Sequence, residues 1–364
     1  MRRFAHAILL CLTVLSAAGL ILSDLSVYVS PERVWFLPFF GLLFAPLLLL
    51  NFALLLLWAI LRRWALLLPL AVVLLNIGFV RTLVQLPPDK KNATLKPELK
   101  LLSYNVNLFG IGYVYSDIST YAQVAGFMNH EKFDVACLQE FHTRSEAESE
   151  RQFAQRLSGL PHRHVHYSAT RRGRRFGLAT FSRFPIVNRG NIEFPNTANA
   201  AIFTDVVLSA GDTLRVYNVH LQSVRLGDRE RDLLQDERSW YGGRQDYSRV
   251  LRSASGKLRI AFLIRARQVD ALSQHMRRSP HAVVVCGDFN DTPISYTYHT
   301  MRGNLCDAFT EAGRGLMSTF VSLIPSFRID YILYSSRFTA ATCYCPNLSC
   351  SDHYPVVCRL ATRQ

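Results

Sequence analysis

Six short motifs between residues 105 and 353 carry the carboxylate, amide and imidazole groups that metal-assisted and acid–base chemistry requires. They supply Asn105 in Ser-Tyr-Asn-Val-Asn, Glu140 in Leu-Gln-Glu, His220 in Asn-Val-His-Leu, Asp288 and Asn290 in Gly-Asp-Phe-Asn, Asp330 in Arg-Ile-Asp-Tyr-Ile, and Asp352 and His353 in Ser-Asp-His-Tyr-Pro. Taken singly, each motif is more simply a turn, a solvated surface group or a loop cap. Their number and order favour a catalytic site.

Each of these side chains starts or follows an apolar run that predicts a buried strand. The runs cover residues 99–106, 133–138, 164–168, 176–182, 200–208, 214–220, 281–286, 329–334 and 355–360. Helical periodicity appears between several of them, at residues 121–130, 145–157 and 258–276. This order predicts a mixed α/β domain of two packed sheets flanked by helices. Side chains at strand ends are rigidly held and can reach a cleft above a sheet.

Together the motifs resemble the endonuclease/exonuclease/phosphatase superfamily, the deoxyribonuclease-I-like hydrolases that cleave phosphate esters with a divalent metal. The resemblance covers about residues 99–361 and includes Gly177-Leu178-Ala179 with the Ser-Arg-Phe-Pro-Ile that follows. It implies a four-layer α/β sandwich of two mixed sheets flanked by helices. It does not specify a substrate.

The resemblance also implies a role for each site residue. Hydrolysis of an anionic phosphodiester needs positive charge on the phosphate oxygens and an oriented water, and hard oxygen ligands suit Mg²⁺, with Mn²⁺ as a substitute. Glu140 is expected to be the principal metal ligand, with Asn105 and Asp352 beside the ion or its waters. The remaining roles are water activation by Asp288, phosphate binding by Asn290, phosphate contact by His353 with its ring oriented by Asp330, and proton donation or transition-state stabilisation by His220.

Residues 1–86 have the composition of a membrane region, because they contain only eight charged side chains. Three stretches are long and apolar enough to cross a bilayer, at about residues 4–29, 34–61 and 64–86. A cleavable signal peptide is the alternative for the first stretch. We expect a polar linker at 87–96 and a catalytic domain at 97–364.

Basic residues near helix ends favour the cytoplasm, which places Arg2-Arg3 and Arg62-Arg63 inside. The third helix then delivers the catalytic domain to the extracytoplasmic side of the cell or inner membrane. Arg81 and Lys90 argue for the opposite orientation, because they flank the end of the last span.

The chain has a formal net charge of +14, and an arginine-rich connection at residues 222–256 also contains Trp240 and Tyr241. Such a segment suits phosphates and bases, so nucleic acid is the first expected substrate. It would equally suit lipid headgroups on a domain tethered to the bilayer. A phospholipid or inositol-phosphate phosphatase or phosphodiesterase of the same fold and a catalytically inactive membrane scaffold are the alternatives.

Overall fold

The computed structural model describes residues 2–86, 98–110, 117–143, 148–171, 174–208, 211–224, 244–321 and 327–363. The predicted linker at 87–96 and residues 225–243 of the arginine-rich connection lie outside the described residues. The chain forms two compact units. The apolar-helix unit comprises Met1–Leu83, Val224–Val269 and Asp291–Met301, and the sheet unit comprises Val84–Ser223, Asp270–Asn290 and Arg302–Gln364.

Two six-stranded mixed sheets make up the centre of the sheet unit. In spatial order, sheet I contains β13 (Phe338–Tyr344), β14 (Val356–Thr362), β2 (Leu99–Asn105), β3 (Val135–Thr143), β5 (Arg174–Ser182) and β4 (His162–Arg171). Sheet II contains β10 (Cys306–Asp307), β12 (Asp330–Tyr334), β9 (Ala282–Asp288), β8 (Thr213–His220), β7 (Ala200–Val207) and β6 (Ile186–Glu193). The pairs β2–β3 and β8–β9 are parallel, and the other neighbours are antiparallel. A separate two-stranded ribbon pairs β1 (Val84–Gln85) with β11 (Gly315–Leu316).

Alternate residues of the central strands enter two different cores. Leu101 and Cys137 face sheet II and pack with Val216 and Cys286, whereas Leu102 and Leu138 belong to a second cluster on the outer face of sheet I. The helices Asp117–Glu131 and Glu148–Gln155 contribute to that second cluster. Burial on both faces explains why these strands read as continuous apolar runs. The predicted pair of packed mixed sheets flanked by helices is confirmed.

Two edge strands and one helix boundary differ from the sequence prediction. β6 is largely exposed, with the sequence Ile-Val-Asn-Arg-Gly-Asn-Ile-Glu, and β13 is an edge strand with a register shift between Ala340 and Thr342. Neither has the apolar run on which the strand predictions relied. The long helix covers Arg244–Arg277, so it begins inside the stretch that was predicted to be a connection. Two further short helices are Tyr296–Arg302 and Ala308–Ala312.

The first predicted membrane span agrees with the helix Arg2–Tyr28, but the other two are broken. The region 34–61 forms Leu37–Leu42 and Phe44–Ile60, and the region 64–86 forms a 3₁₀ turn at Trp64–Leu66, then Leu67–Leu75 and Ile77–Leu83. Pro46 and Pro69 lack the N–H that would continue a preceding helix, so each lies in the first turn of a new one.

Within the described residues, one helix, Arg3–Tyr28, is long and apolar enough to cross a membrane. The segments Trp64–Leu75 and Ile77–Leu83 meet at 53° and give a second candidate if they form one bent span. Phe44–Ile60 is apolar but shorter. The part of the chain that the structure describes therefore contains one or two span candidates where the sequence predicted three.

Candidate active site

Parallel pairing brings the chemical groups of four central strands to one edge of the sandwich. Asn105 ends β2 and His220 ends β8, and each strand runs parallel to its neighbour β3 or β9. In the register of sheet II, His220 and Asp330 both lie opposite Asp288. The carboxyl ends of parallel strands meet at one edge, where α/β sites are usually built.

Asp288 is the centre of this group and is only 1% exposed. Its Oδ2 atom accepts hydrogen bonds from Nδ2 of Asn105 at 3.0 Å and from Nδ2 of Asn290 at 3.1 Å. Its Oδ1 atom accepts the backbone N–H of Asn290 at 2.8 Å. The Nε2 atoms of His220 and His353 lie 3.7 Å and 3.8 Å from Oδ2. One carboxylate therefore connects five of the predicted site residues, counting itself.

Asn290 has a further structural role that the sequence did not indicate. Its φ of 53° lies in the left-handed region, and its side-chain amide donates to the carbonyl of Leu221 as well as to Asp288. Binding a phosphate oxygen through this amide would require one of the two bonds to be exchanged. Asn290 thus holds Asp288 in place and stays a predicted phosphate contact.

Glu140 lies on a bulge in β3, where the pairing with β5 shifts between Leu138 and Phe141. Its φ of 52° turns the side chain out of the regular alternation, and 28% of the side chain is exposed. Oε1 of Glu140 lies 3.4 Å from Nδ2 of Asn105 and 3.7 Å from Nε2 of His220. Bulges commonly redirect a side chain next to active sites.

His353 is held between two carboxylates. Its Nδ1 atom lies 2.9 Å from Oδ2 of Asp330, and its Nε2 atom faces Asp288. The ring of Phe320 packs edge-on against the imidazole with a centroid distance of 5.0 Å. Thr319, which was not among the predicted site residues, accepts the backbone N–H of Asp330 through its hydroxyl at 3.1 Å. No sequence motif marks these two supporting residues.

Electrostatics separate the proton affinities of the two central groups. Burial raises the pKa of Asp288 to about 6, and the neighbouring Asp330 adds to the rise. Burial alone would lower the pKa of His353, but Asp330 and Asp288 outweigh it and raise that pKa to about 10. Near neutral pH the geometry therefore supports an ionised Asp288 beside a cationic His353.

Ser351 connects Asp352 to the rest of the site. Its hydroxyl donates to the carbonyl of Asn105 at 2.7 Å and lies 3.4 Å from Oδ1 of Asp352. Beneath the site, Nε2 of Gln139 donates to Oδ1 of Asn218 at 2.8 Å, so a buried amide pair links the two sheets. Every predicted site residue therefore lies at this one edge.

The donor groups fit a hard divalent cation at Glu140. A partly exposed carboxylate with an amide and a second carboxylate close by provides the oxygen chemistry that Mg²⁺ prefers. Oδ1 of Asn105 accepts the backbone N–H of Asn107 at 3.0 Å, so direct ligation by that oxygen would require the amide to turn. Donor atoms of Asp288, Asp330 and His353 also lie within 4.8 Å of one another. Both ring nitrogens of His353 face carboxylates, however, and a cationic imidazole cannot bind a metal.

Comparisons with known proteins agree with this site and fold. Residues 102–353 match the Endonuclease/Exonuclease/phosphatase family. The chain belongs to this family. Residues 6–83 match a family described as a domain of unknown function. No curated protein matches the chain.

Solved structures share the family fold at low identity. The endonuclease/exonuclease/phosphatase from Beutenbergia cavernae DSM 12333 has a TM-score of 0.52 and 18% identity, over 73% of this chain and 72% of its own. The human Nocturnin catalytic domain with bound sulfate anion also has a TM-score of 0.52 and 18% identity, over 74% of this chain and 96% of its own. At this identity the likeness establishes the fold alone.

Proposed function

We propose that this chain is a membrane-anchored, Mg²⁺-dependent phosphoesterase that hydrolyses phosphodiester bonds. The observation that carries the proposal is the contact network around Asp288, which joins Asn105, Asn290, His220 and His353. Two buried carboxylates in opposite register positions, Asp288 and Asp330, are costly to a fold unless a positive group lies between them. An inactive scaffold would have no need of this arrangement.

Glu140 would hold the metal, with Asn105 and Asp352 beside it, and the bound ion would supply positive charge to the phosphate oxygens. Asp288 accepts a proton from the attacking water, since its three hydrogen bonds fix the carboxylate and its pKa of about 6 keeps it ionised at neutral pH. His353 places a cationic ring beside the phosphate, and Asp330 orients that ring. His220 remains a candidate proton donor to the leaving oxygen.

The membrane anchor is supported by the inverted polarity of the apolar-helix unit. Large apolar side chains such as Leu15, Leu49 and Leu75 are about 70% exposed on its surface. Its interior contains hydrogen-bonded polar pairs, in which Nδ2 of Asn51 donates to Ser16 Oγ at 2.8 Å and Nε1 of Trp58 donates to Thr13 Oγ1 at 2.9 Å. Small polar groups bonded between apolar helices are typical of membrane bundles, and an apolar exterior of this kind is not typical of soluble proteins.

Contacts within the same unit support the proposed orientation. The bonds Asn51–Ser16 and Trp58–Thr13 make the first and third helices antiparallel, so Glu32 and Arg62 lie at opposite ends of the bundle. At the Glu32 end, Arg267 of the long helix donates to Glu32 at 2.6 Å. The part of the long helix that belongs to this unit therefore lies at the end opposite Arg62-Arg63, and the positive-inside rule assigns that end to the extracytoplasmic side.

The substrate proposed from the sequence was nucleic acid first, with a phospholipid or an inositol phosphate as the alternative. The arginines at 225–243 that favoured nucleic acid lie outside the described residues, so that preference still rests on composition.

Hydrolysis by the full chain in detergent tests the proposal. Bis(p-nitrophenyl) phosphate, DNA, RNA, inositol phosphates and phospholipids should be offered with Mg²⁺ or Mn²⁺ and with EDTA. We expect metal-dependent hydrolysis of at least one phosphodiester and loss of that activity in Asp288→Asn. Absence of hydrolysis on every substrate with both metals would reject the proposal.

A further inference from the structure

A carboxyl and an amide side chain meet between two segments of the apolar-helix unit. Asp24 lies on the first helix, Arg2–Tyr28. Asn76 lies at the 53° bend between Leu67–Leu75 and Ile77–Leu83, which we call the bent pair. Nδ2 of Asn76 donates a hydrogen bond to Oδ2 of Asp24 at 3.2 Å. This bond joins the first helix to the bent pair.

The two side chains lie in apolar surroundings. Asp24 follows Leu20 by four residues and precedes Val27 by three, so it lies on the face of the first helix that packs into the core of the unit. Asn76 is completely buried, and Val72, one turn before it, belongs to the same core. An isolated carboxylate is costly in such surroundings, and an ionisable side chain inside an apolar helix bundle usually marks a functional site.

One oxygen atom of each side chain lacks a hydrogen bond. Among the described residues, neither Oδ1 of Asp24 nor Oδ1 of Asn76 has a hydrogen-bond partner, although both atoms are buried. They belong to side chains that are already bonded through their other polar atoms. Carboxylate and amide oxygens are both acceptors, so neither can donate to the other. A single proton between them would satisfy both.

The amide of Asn76 cannot supply the missing hydrogen bond. Its two N–H groups donate to Oδ2 of Asp24 at 3.2 Å and to the carbonyl of Val72 at 2.9 Å, so it has no third donor. The bond to Val72 also fixes the orientation of the amide, because a reversed amide would place two carbonyl oxygens together. Oδ1 of Asp24 therefore needs a hydrogen from another source.

The three short helices packed against the first helix offer the carboxyl no compensating charge, because none contains an ionisable side chain. These helices are Leu37–Leu42, Phe44–Ile60 and Leu67–Leu75. On the two segments that carry the pair, the nearest ionisable groups in the chain are Tyr28, four residues after Asp24, and Arg81, five residues after Asn76. Beyond the end of the first helix, Glu32 is paired with Arg267.

We propose that Asp24 and Asn76 form a proton-binding site that closes the contact between the first helix and the bent pair. The proton comes from water and forms one O–H bond on Oδ1 of Asp24, and no other covalent bond changes. This O–H donates to Oδ1 of Asn76, which gives an acid–amide pair with two hydrogen bonds. Without the proton, two acceptors would face each other beside an uncompensated charge, so the contact weakens as pH rises. Asp24 lies only about 6 Å before the end of its helix, so its path to the aqueous phase is short.

Infrared spectroscopy of the full chain in detergent detects the proton directly. A protonated carboxyl has a carbonyl stretching band that carboxylates and amides lack, so the parent near neutral pH should show a band that is absent in Asp24→Asn. Glu32→Gln is the matched control, because Glu32 is an exposed carboxylate that pairs with Arg267. This variant should keep the band. Identical spectra of the parent and Asp24→Asn in this region would overturn the inference.

Thermal unfolding of the same proteins tests whether the contact needs the proton. Asp24→Asn replaces the O–H by an N–H and keeps both bonds, so its midpoint near neutral pH should stay within about 2 °C of that of the parent. Asn76→Leu leaves the carboxyl without a partner and should lower the midpoint by at least about 3 °C. As pH rises from about 6 to about 10, the midpoint of the parent should fall by at least about 3 °C more than that of Asp24→Asn.

Two results of the unfolding experiment would also overturn the inference. Equal pH dependence in the parent and Asp24→Asn would show that Asp24 binds no proton linked to stability. A midpoint that rises with added NaCl in the parent but not in Asp24→Asn would show that the pair holds a cation instead. Asp24 and Asn76 belong to the apolar-helix unit and the predicted phosphoesterase residues belong to the sheet unit, so either result leaves the proposed function standing.

Discussion

Asp330 faces Nδ1 of His353 at 2.9 Å, and both side chains are almost completely buried. Asp330 begins β12 directly opposite Asp288 of β9. The register of sheet II therefore sets the position of the Asp330 carboxylate. The imidazole lies between the two acids, with Nδ1 facing Asp330 and Nε2 facing Asp288. This geometry stabilises the cationic ring and fixes its orientation.

Replacement of Asp330 by Asn should therefore change the pH profile as well as the rate. His353 has a pKa raised to about 10, so the cation is present at neutral pH and is lost as pH rises through that value. The neutral amide removes a raising influence, so the alkaline limb of kcat/KM should move to lower pH. As pH rises from about 7 to about 9, we expect kcat/KM of Asp330→Asn to fall by a factor at least about threefold larger than that of the parent. An unchanged alkaline limb would show that His353 does not set it.

Asp288→Asn should abolish proton acceptance and also remove an acceptor for the surrounding amide donors, because one carboxylate oxygen becomes an NH2 group. The amide has almost the same shape as the carboxylate but cannot accept the proton from water, so kcat should fall at least about 100-fold with a modest change in KM. The soluble diester assay measures both constants. Near-normal turnover in Asp288→Asn would mean that another group activates the water.

The strands of the two sheets were predictable where both of their faces are buried. β2 reads as an apolar run because Leu101 and Leu102 enter cores on opposite faces of sheet I, and every residue of the strand is buried. β6 was missed because it needs only one apolar face at the sheet edge. The helix breaks before Phe44 and Leu67 were not predicted, because hydropathy alone makes these stretches look like continuous spans. Each break precedes a proline, Pro46 or Pro69, which cannot donate the N–H that would continue the preceding helix.

Metal binding can be measured without turnover. Glu140 is expected to be the principal ligand, so Glu140→Gln should weaken Mg²⁺ or Mn²⁺ binding at least about tenfold in titration calorimetry. Glu150→Gln is the matched control, because Glu150 is an acidic residue that pairs with Arg163 away from the site. Equal metal affinity in the parent and Glu140→Gln would remove Glu140 from the ligand set.

The identities of the site residues followed from the motifs, but their mutual geometry did not. The left-handed φ of Glu140 and the bond of Asn290 to Leu221 arise from a bulge and a tight turn that leave no clear sequence pattern. Thr319 accepts the backbone N–H groups of Ile329 and Asp330, ten and eleven residues further along the chain. Such contacts depend on tertiary packing and could not be read from residue types.

Gly287 should be required for stability as well as for the position of Asp288. A Cβ at Gly287 would lie 2.2 Å from the carbonyl oxygen of Val219 on the parallel strand β8. Gly287→Ala should therefore destabilise the protein by about 2 kcal/mol or more and lower the thermal midpoint measured by circular dichroism. Gly126→Ala is the control, since Gly126 lies in a helix where an added Cβ would meet no other atom within 4 Å, and Ala favours helices. Equal midpoints for the two variants would show that the β8–β9 contact tolerates a methyl group.

Orientation in the membrane is open to a direct fusion test. Arg2-Arg3 and Arg62-Arg63 favour the cytoplasm, and the Glu32–Arg267 contact places the long charged helix at the other end of the bundle. Alkaline phosphatase fused to the C-terminus should therefore be active, because it folds only in an oxidising, extracytoplasmic compartment. A fluorescent protein that matures only in the cytoplasm, fused at the same point, should stay dark. In a variant with Arg62 and Arg63 changed to Glu, the loss of the basic loop should lower the phosphatase signal. A fluorescent C-terminal fusion in the parent would mean that Arg81 and the lysines after it outweigh the first two pairs, and the catalytic domain would then face the cytoplasm.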